Sequence, residues 1–424
     1  MRKPTYGWPH GKRQGDGGGM RTIDSSVGAV NRLTARWASG IRAGTVFSAA
    51  GVWPLLAFLA AGATGRTREE LTEALGLPAD RAATAGRELL GVLGEVDGLE
   101  SALGLWTERT VELRKEWAAQ LPVGAHGVLT GEPEADRRAL DAWAARRTGG
   151  AIERMPAALR PDMALVLASA LVLRTDWEVP FEGHFGGWLG RYGSAGLVRE
   201  VPDIDGVSVA RAGPGAVTRV VVRGDTGVDV HLLLGTERMA PGEVLAAGTD
   251  MLAGTLDTVP GSRLPEGAAG PGLSVHKRRT HTAEPPSLTL FTVEFILRAE
   301  HDLLASRGLF GLTTAARDTP GPLPFPGVSP APLVLRSARQ AMTATFGAEG
   351  FKAAVVTTLS AIYRGRSAEE PPYETVRAVA VFERPFGLLA VHRETSLVLA
   401  AGWVTDPKPF PEDEDAYVPD TSGD

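Results

Sequence analysis

The chain contains no cysteine, which excludes disulfides, thiolate metal sites and a cysteine nucleophile and leaves the redox compartment open. Long apolar runs are missing as well. The longest, Val52 to Ala63 and Met163 to Leu173, fall short of the ~18–20 residues that span a bilayer, so no transmembrane helix and no membrane partner are expected. Residues 1–19 hold no apolar stretch and read as a disordered extension rather than a signal peptide, with Met20 an alternative start. A cytoplasmic protein is expected on that ground. Arg36 and Arg42 ahead of VWPLLAFLAAGA imitate a signal sequence, but the stretch lies too far along the chain and reads as a buried helix.

No sign of charge dominates: 44 basic against 50 acidic residues leave a net charge of −6, which excludes a basic nucleic-acid binder. The common enzymatic signatures fail too. There is no G-x-S-x-G elbow, no Walker loop, no H-E-x-x-H pair and no strict G-x-G-x-x-G, so hydrolase and nucleotide readings lose support and the chain is not expected to be an enzyme. A convergent His–Ser–acid geometry is the one enzymatic alternative left open. The closest histidines, His276 and His281, flank Lys277-Arg278-Arg279. That cluster reads as a solvated surface loop rather than a metal or polyanion site. No metal and no cofactor are expected.

What the chain does have is 43% hydrophobic residues over 424 positions, enough for one large core or two domains. Val27, Val30, Leu33 and Trp37 recur at helical spacing and predict an opening helix over Ile23–Ala38. Ser48 introduces an apolar helix over Trp53–Ala61, and Thr67 with Glu70 reads as a capping box before the next. Helices are also predicted over Arg114–Leu121 and Glu134–Arg147. The unbroken run ALVLASALVL predicts a strand buried on both faces. VTRVVV, VDVHLLLG, LTLFTVEFIL, VRAVAVF, PFGLLAVHR and LVLAAGWV predict further strands. The pattern is α+β with large sheets, in a single domain from residue 20 to 407 without a linker, followed by an acidic tail over 408–424.

Several of these segments resemble the serpin family and occur in its order. They are FSAAGVWPLLAFLAAGATGRTREEL, TGGAIERM, SALVLRTDWEVPFE, FTVEFILRAEHDLLASRGLFGLT and RPFGLLAVHRETSLVLAAGWVTDP. W-x-x-P-F near the middle, with P-F and G-W-V near the end, are the more specific of them. The resemblance, to a bacterial serpin-like protein with a divergent hinge, implies three β-sheets, about eight or nine helices and an exposed reactive loop over residues 348–372. It also implies a serine-type endopeptidase inhibitor, monomeric and without cofactor, acting by loop cleavage and insertion into the central sheet. The alternative is a non-inhibitory serpin-fold binding or scaffold protein. Many members of the family are extracellular, which keeps that location open beside the cytoplasmic one.

Insertion requires alternation, because one face of a new strand lies on the core. From Gly350, one face would carry Phe351, Ala353, Val355, Thr357, Leu359 and Ala361, and the other Lys352, Ala354, Val356, Thr358, Ser360 and Ile362. The first set could be buried whole. Phe351 stands where inhibitory members usually have a small hydroxyl residue, and overpacking a tight site costs typically ~1–3 kcal/mol. The hinge acid before the glycine pair has become Ala348, with Glu349 one place later. At the region where the sheet opens, Ser48 is kept, Gln340 replaces a usual histidine, Gly51 a usual serine and Ser169 a usual asparagine, so thinner polar bracing is expected. Trp177 resembles the tryptophan where insertion begins and would equally serve as a core anchor. Family spacing puts the bait bond at Arg364–Gly365, with Arg366–Ser367 its near competitor. An arginine there would suit a trypsin-like serine protease. Glu369-Glu370-Pro371-Pro372 should end any inserted strand, since proline cannot join a ladder.

Overall fold

The computed structural model describes residues 17–155, 163–185, 195–317, 323–350 and 372–407. In chain order, helix α1 (Gly17–Ala38) leads to strand β1 (Thr45–Phe47) and to helices α2 (Trp53–Gly62), α3 (Gly65–Leu75) and α4 (Ala79–Glu95). Then come β2 (Leu99–Glu108), α5 (Lys115–Ala118), β3 (His126–Leu129), α6 (Pro133–Arg147), β4 (Leu165–Leu173), β5 (Glu182–Phe185) and β6 (Ala195–Val201). The strand-rich middle comprises β7 (Val207–Ala212), β8 (Gly215–Val222) and β9 (Val228–Gly235), then helix α7 (Pro241–Ala253). After it lie β10 (Thr258–Pro260), β11 (Gly267–Gly270), β12 (Leu273–Thr280), β13 (Ser287–Thr292), β14 (Phe295–Asp302) and β15 (Leu335–Phe346). The chain closes with β16 (Tyr373–Val381), β17 (Phe386–His392) and β18 (Leu397–Val404).

These strands form three sheets. The apolar run at β4 is buried at every position and sits in the middle of a five-stranded sheet ordered β14-β15-β4-β2-β3. Within it, β15 and β4 pair directly and in parallel, from Leu335↔Leu165 to Thr343↔Val172. A seven-stranded sheet, β1-β18-β17-β9-β8-β7-β10, holds β9 and β18, both buried throughout. The third sheet, β11-β12-β16-β13-β6-β5, has six strands.

Helix packing follows from composition. Helix α2 is apolar almost all round and buried along nearly its whole length, as such a helix must be. Its neighbour α4 packs on it through a small-residue face that includes Ala82, Ala85 and Gly86. On the other side of the five-stranded sheet, α6 begins with Pro133 and carries acids in its first turn and arginines in its last, in keeping with its dipole. Trp143 of α6 meets Trp106 of β2 edge-on at 5.9 Å. The pair anchors a second, smaller core under the helix.

The structure departs from several sequence expectations. Helix α1 starts at Gly17, inside the stretch assigned to a disordered extension. Thr67 and Glu70 do not form a capping box: Thr67 lies within α3, and the Glu70 carboxylate accepts instead from the amide and hydroxyl of Thr314. The helix expected over Arg114–Leu121 is only Lys115–Ala118. LTLFTVEFIL breaks at Val293-Glu294 and serves two sheets, as β13 and β14. His276 to Arg279 lie on strand β12 and not in a loop, held by register pairs to β16. Seven α-helices are present among the described residues, in keeping with the expected α+β class.

Candidate functional site

The hinge of the predicted loop follows β15. Past Phe346 the chain turns through Gly347, Ala348, Glu349 and Gly350, and the turn is latched to the Asp176–Phe181 segment beyond β4. The Trp177 amide donates to the Glu349 carbonyl at 2.8 Å, the Phe181 amide to the Ala348 carbonyl at 2.8 Å, and the Trp177 indole to the Gly347 carbonyl at 2.9 Å. Gly350 forms an isolated antiparallel bridge with Asp176. A Cβ on Gly350 would stand 2.4 Å from the Thr175 carbonyl oxygen, so this close approach needs glycine.

Aromatic packing holds the latch from below. Trp177 is 4% exposed, with its ring centroid 4.9 Å from Phe346 and 6.3 Å from Phe181. Phe346 stacks on Phe295 at 5.1 Å, and Phe386 and Phe382 extend the column. Arg199 lies over the Phe181 ring at 5.1 Å and donates to the Val179 carbonyl. Burial pulls its pKa down to about 10, partly opposed by Glu178. Arg393 ties the same segment to β9, with Asp229 at 2.6 Å, Glu178 at 3.0 Å and the Gly224 carbonyl at 2.8 Å. Its bond to Asp229 raises its pKa above the usual arginine range.

Six residues earlier on β15, Gln340 faces the connection between β1 and α2. Its Oε1 accepts from the Ser48 amide at 2.9 Å, and its Nε2 donates to the Ser48 carbonyl at 2.9 Å and to the Ser169 hydroxyl at 3.5 Å. The Ser48 hydroxyl donates to the Leu399 carbonyl at 2.6 Å and accepts from the Gly51 amide at 3.1 Å. All three side chains are buried. His301, register partner of Gln340 on β14, bonds the Val46 carbonyl at 2.9 Å beside Trp37. Desolvation lowers its pKa, against the raising effect of that bond. The bracing expected to be thin is thus a connected network carried by Gln340.

Ser48, Ser169 and Gln340 therefore meet at one place, and Trp177 and Gly350 at another, further along β15. Phe351, Lys352, Ala353, Ala354, Val355, Val356, Thr357, Arg364, Gly365, Arg366 and Ser367 lie outside the described residues. Sequence reasoning missed Phe346, Phe295 and the Arg393–Asp229 pair. The phenylalanine ending an alternating strand was the available signal for the first. Among the described residues, no group of three or more His, Asp or Glu side chains could hold a metal ion, and no helix is long and apolar enough to cross a membrane.

Comparison with known proteins agrees with this architecture. The family model described as "Serpin (serine protease inhibitor)" matches residues 31–185. A putative serpin-Z6A of Oryza sativa subsp. japonica is 33% identical over 151 residues, 32% of this chain and 38% of that protein. An uncharacterized serpin-like protein of Thermococcus kodakarensis is 29% identical over 169 residues, 37% of this chain and 40% of that protein. The matched stretches thus span about two-fifths of these relatives' own length. Among solved structures, the thermophilic serpin tengpin in its native state superposes with a TM-score of 0.68 at 14% identity, covering 93% of this chain and 96% of that one. Human thyroxine-binding globulin complexed with thyroxine gives 0.67 at 17% identity, covering 92% and 100%. The fold is the serpin fold. Residues 31–185 resemble the serpin family in sequence, and the fold is shared over nearly the whole chain.

Proposed function

We propose that the chain inhibits a serine protease by offering residues 351–371 as bait, with Arg364–Gly365 the favoured bond and Arg366–Ser367 its neighbour. Attack by the protease serine on the Arg364 carbonyl would free the Gly365 amine and leave the protease esterified to Arg364. The severed segment would then enter the five-stranded sheet between β15 and β4.

The observation that carries this reading is the seam itself. β15 and β4 are direct parallel neighbours, and the hinge at Gly347–Gly350 is latched where both strands end. A strand folding back from that hinge would run antiparallel to both, replacing one parallel ladder by two antiparallel ones, which are slightly more stable per residue. Several new ladder bonds at ~0.5–1.5 kcal/mol net each, with one buried side-chain face, make a gain of about ten kcal/mol reasonable. That rivals a domain's whole stability of ~5–15 kcal/mol. On this reading the chain is not a catalyst, and a trypsin-like protease is its partner.

A second reading, a binding or scaffold protein, is favoured by Phe351 at the leading position and by the likeness to thyroxine-binding globulin, whose structure was solved with thyroxine. Incubation with trypsin-like proteases followed by a denaturing gel separates the two. A complex of protease and protein that survives denaturation is expected, whereas complete cleavage within 351–371 with no such complex would select the second reading.

A further inference from the structure

Strands β7, β8, β10 and β11 and the loops around them, from the outer end of the seven-stranded sheet and the start of the six-stranded one, line a cavity of about 950 Å³. That volume lies at the upper end of the ~300–1,000 Å³ typical of small-molecule sites. The lining is mostly apolar. Val209 of β7 is buried, Leu256 and Leu264 rest on the main core, and Val259 of β10 is left 43% exposed. No lining residue belongs to β15, β4 or the hinge, so the site is independent of the reading of 351–371 as bait.

The walls are fixed by the fold itself. β10 pairs with β7 in the register Thr258↔Ala210, Val259↔Val209 and Pro260↔Ser208. The turn after β10 is tied down by the Ser262 amide, which donates to the Asp205 carboxylate at 2.8 Å. On the other side the Thr218 hydroxyl of β8 donates to the Pro271 carbonyl at 2.8 Å. Gly270 lets β11 come this near, because a Cβ there would lie 2.8 Å from both the Thr218 hydroxyl and the Val209 side chain. The hydroxyl of Thr236, another lining residue, is spent on the amide and carbonyl of Ala216 at 3.1 and 3.3 Å.

Two lining side chains keep their polar groups unspent, Arg211 and Asp257. One step beyond Thr258↔Ala210 the same register sets Asp257 opposite Arg211, on the face that carries Val209 and Val259. Both are exposed, and neither side chain bonds or pairs with any other among the described residues. An exposed ion pair between them would be worth little, so a ligand loses little by standing in its place. A cation and an anion side by side against an apolar cavity complement a molecule that carries both charges on one carbon and an apolar body behind it. A lone carboxylate or a lone amine would meet one attractive and one repulsive neighbour.

We propose that this cavity binds an α-amino acid with a large apolar side chain. The carboxylate accepts from the Arg211 guanidinium, the ammonium donates to the Asp257 carboxylate, and the side chain lies against Val209, Leu256 and Leu264.

The test measures binding of 4-phenyl-L-phenylalanine to the full chain by calorimetry at pH 6. Beside it are measured its N-acetyl derivative, which lacks the ammonium, and its primary amide, which lacks the carboxylate. A Kd on the order of 0.1 mM is expected for a free amino acid of this size. Each derivative should bind roughly tenfold more weakly, for want of one charge-assisted contact. Arg211→Gln should weaken the free amino acid about tenfold and leave the amide unchanged, whereas Asp257→Asn should weaken the free amino acid and spare the N-acetyl form. Unchanged melting shows that the exposed substitutions leave the fold intact, and the comparison of the three ligands on the wild type needs no variant. No binding at ten times the expected Kd, equal affinity for the three ligands, or equal weakening of all three by either variant would overturn the proposal.

Discussion

Gln340 is the residue on which the buried bracing turns. It satisfies both backbone groups of Ser48 and reaches Ser169, in a site closed to water. Gln340→Ala would strand a buried amide and a buried carbonyl and open a cavity, so a loss on the order of 2–5 kcal/mol is expected by denaturant unfolding. Gly51 shows the same site from its steric side. A Cβ there would lie 2.9 Å from the Ser169 hydroxyl, 3.2 Å from Leu171 and 3.3 Å from the Gln340 side-chain nitrogen. Gly51→Ser, which restores the residue usual in the family, should therefore destabilise this chain by about 1–3 kcal/mol, read from the same unfolding curves. These positions were legible in the sequence through their place among ordered motifs. Their bonding was not, because it depends on how segments 292 residues apart meet.

Strands were legible where burial on both faces writes an unbroken apolar run, as in β4, β9 and β18. β12 was not, since its charged half is ordered by pairing with β16 and leaves no periodicity of its own. The capping box failed for a related reason: Thr314 gave Glu70 better partners than its own helix start did. Strand β9 also carries a titratable group the sequence did not single out. His231 is buried with its Nδ1 unpartnered, and burial first, then Arg219, push its pKa down to about 4 against the pull of Asp229. With the folded value below the unfolded ~6.5, its neutral form supports the fold fully above about pH 6.5, and this support is lost as pH falls towards 4. His231→Leu should flatten the pH dependence of unfolding across that window by on the order of 2–3 kcal/mol. His301, lowered as well, should retain a smaller slope.

Across the whole molecule, three sheets and one continuous main core join residues from α1 to β18. The order of the motifs made this architecture readable before the geometry was known. Limited proteolysis should leave one stable body and cut first within 351–371. Dominant early cuts at Lys277, Arg278 or Arg279 would contradict the pairing of β12 with β16, and a stable boundary near the middle of the chain would contradict a single domain. The seam between β15 and β4 carries the proposed function, because on that reading segment 351–371 would enter the sheet only once it had been cut. The most direct measurement compares melting of intact protein with protein nicked at Arg364, for the wild type and for Phe351→Thr. Insertion should raise the melting temperature of the nicked forms by roughly 10 °C or more, with Phe351→Thr reaching the stable form faster. Unchanged melting in both proteins after verified cleavage would contradict insertion and leave the seam a closed, static part of a binding protein.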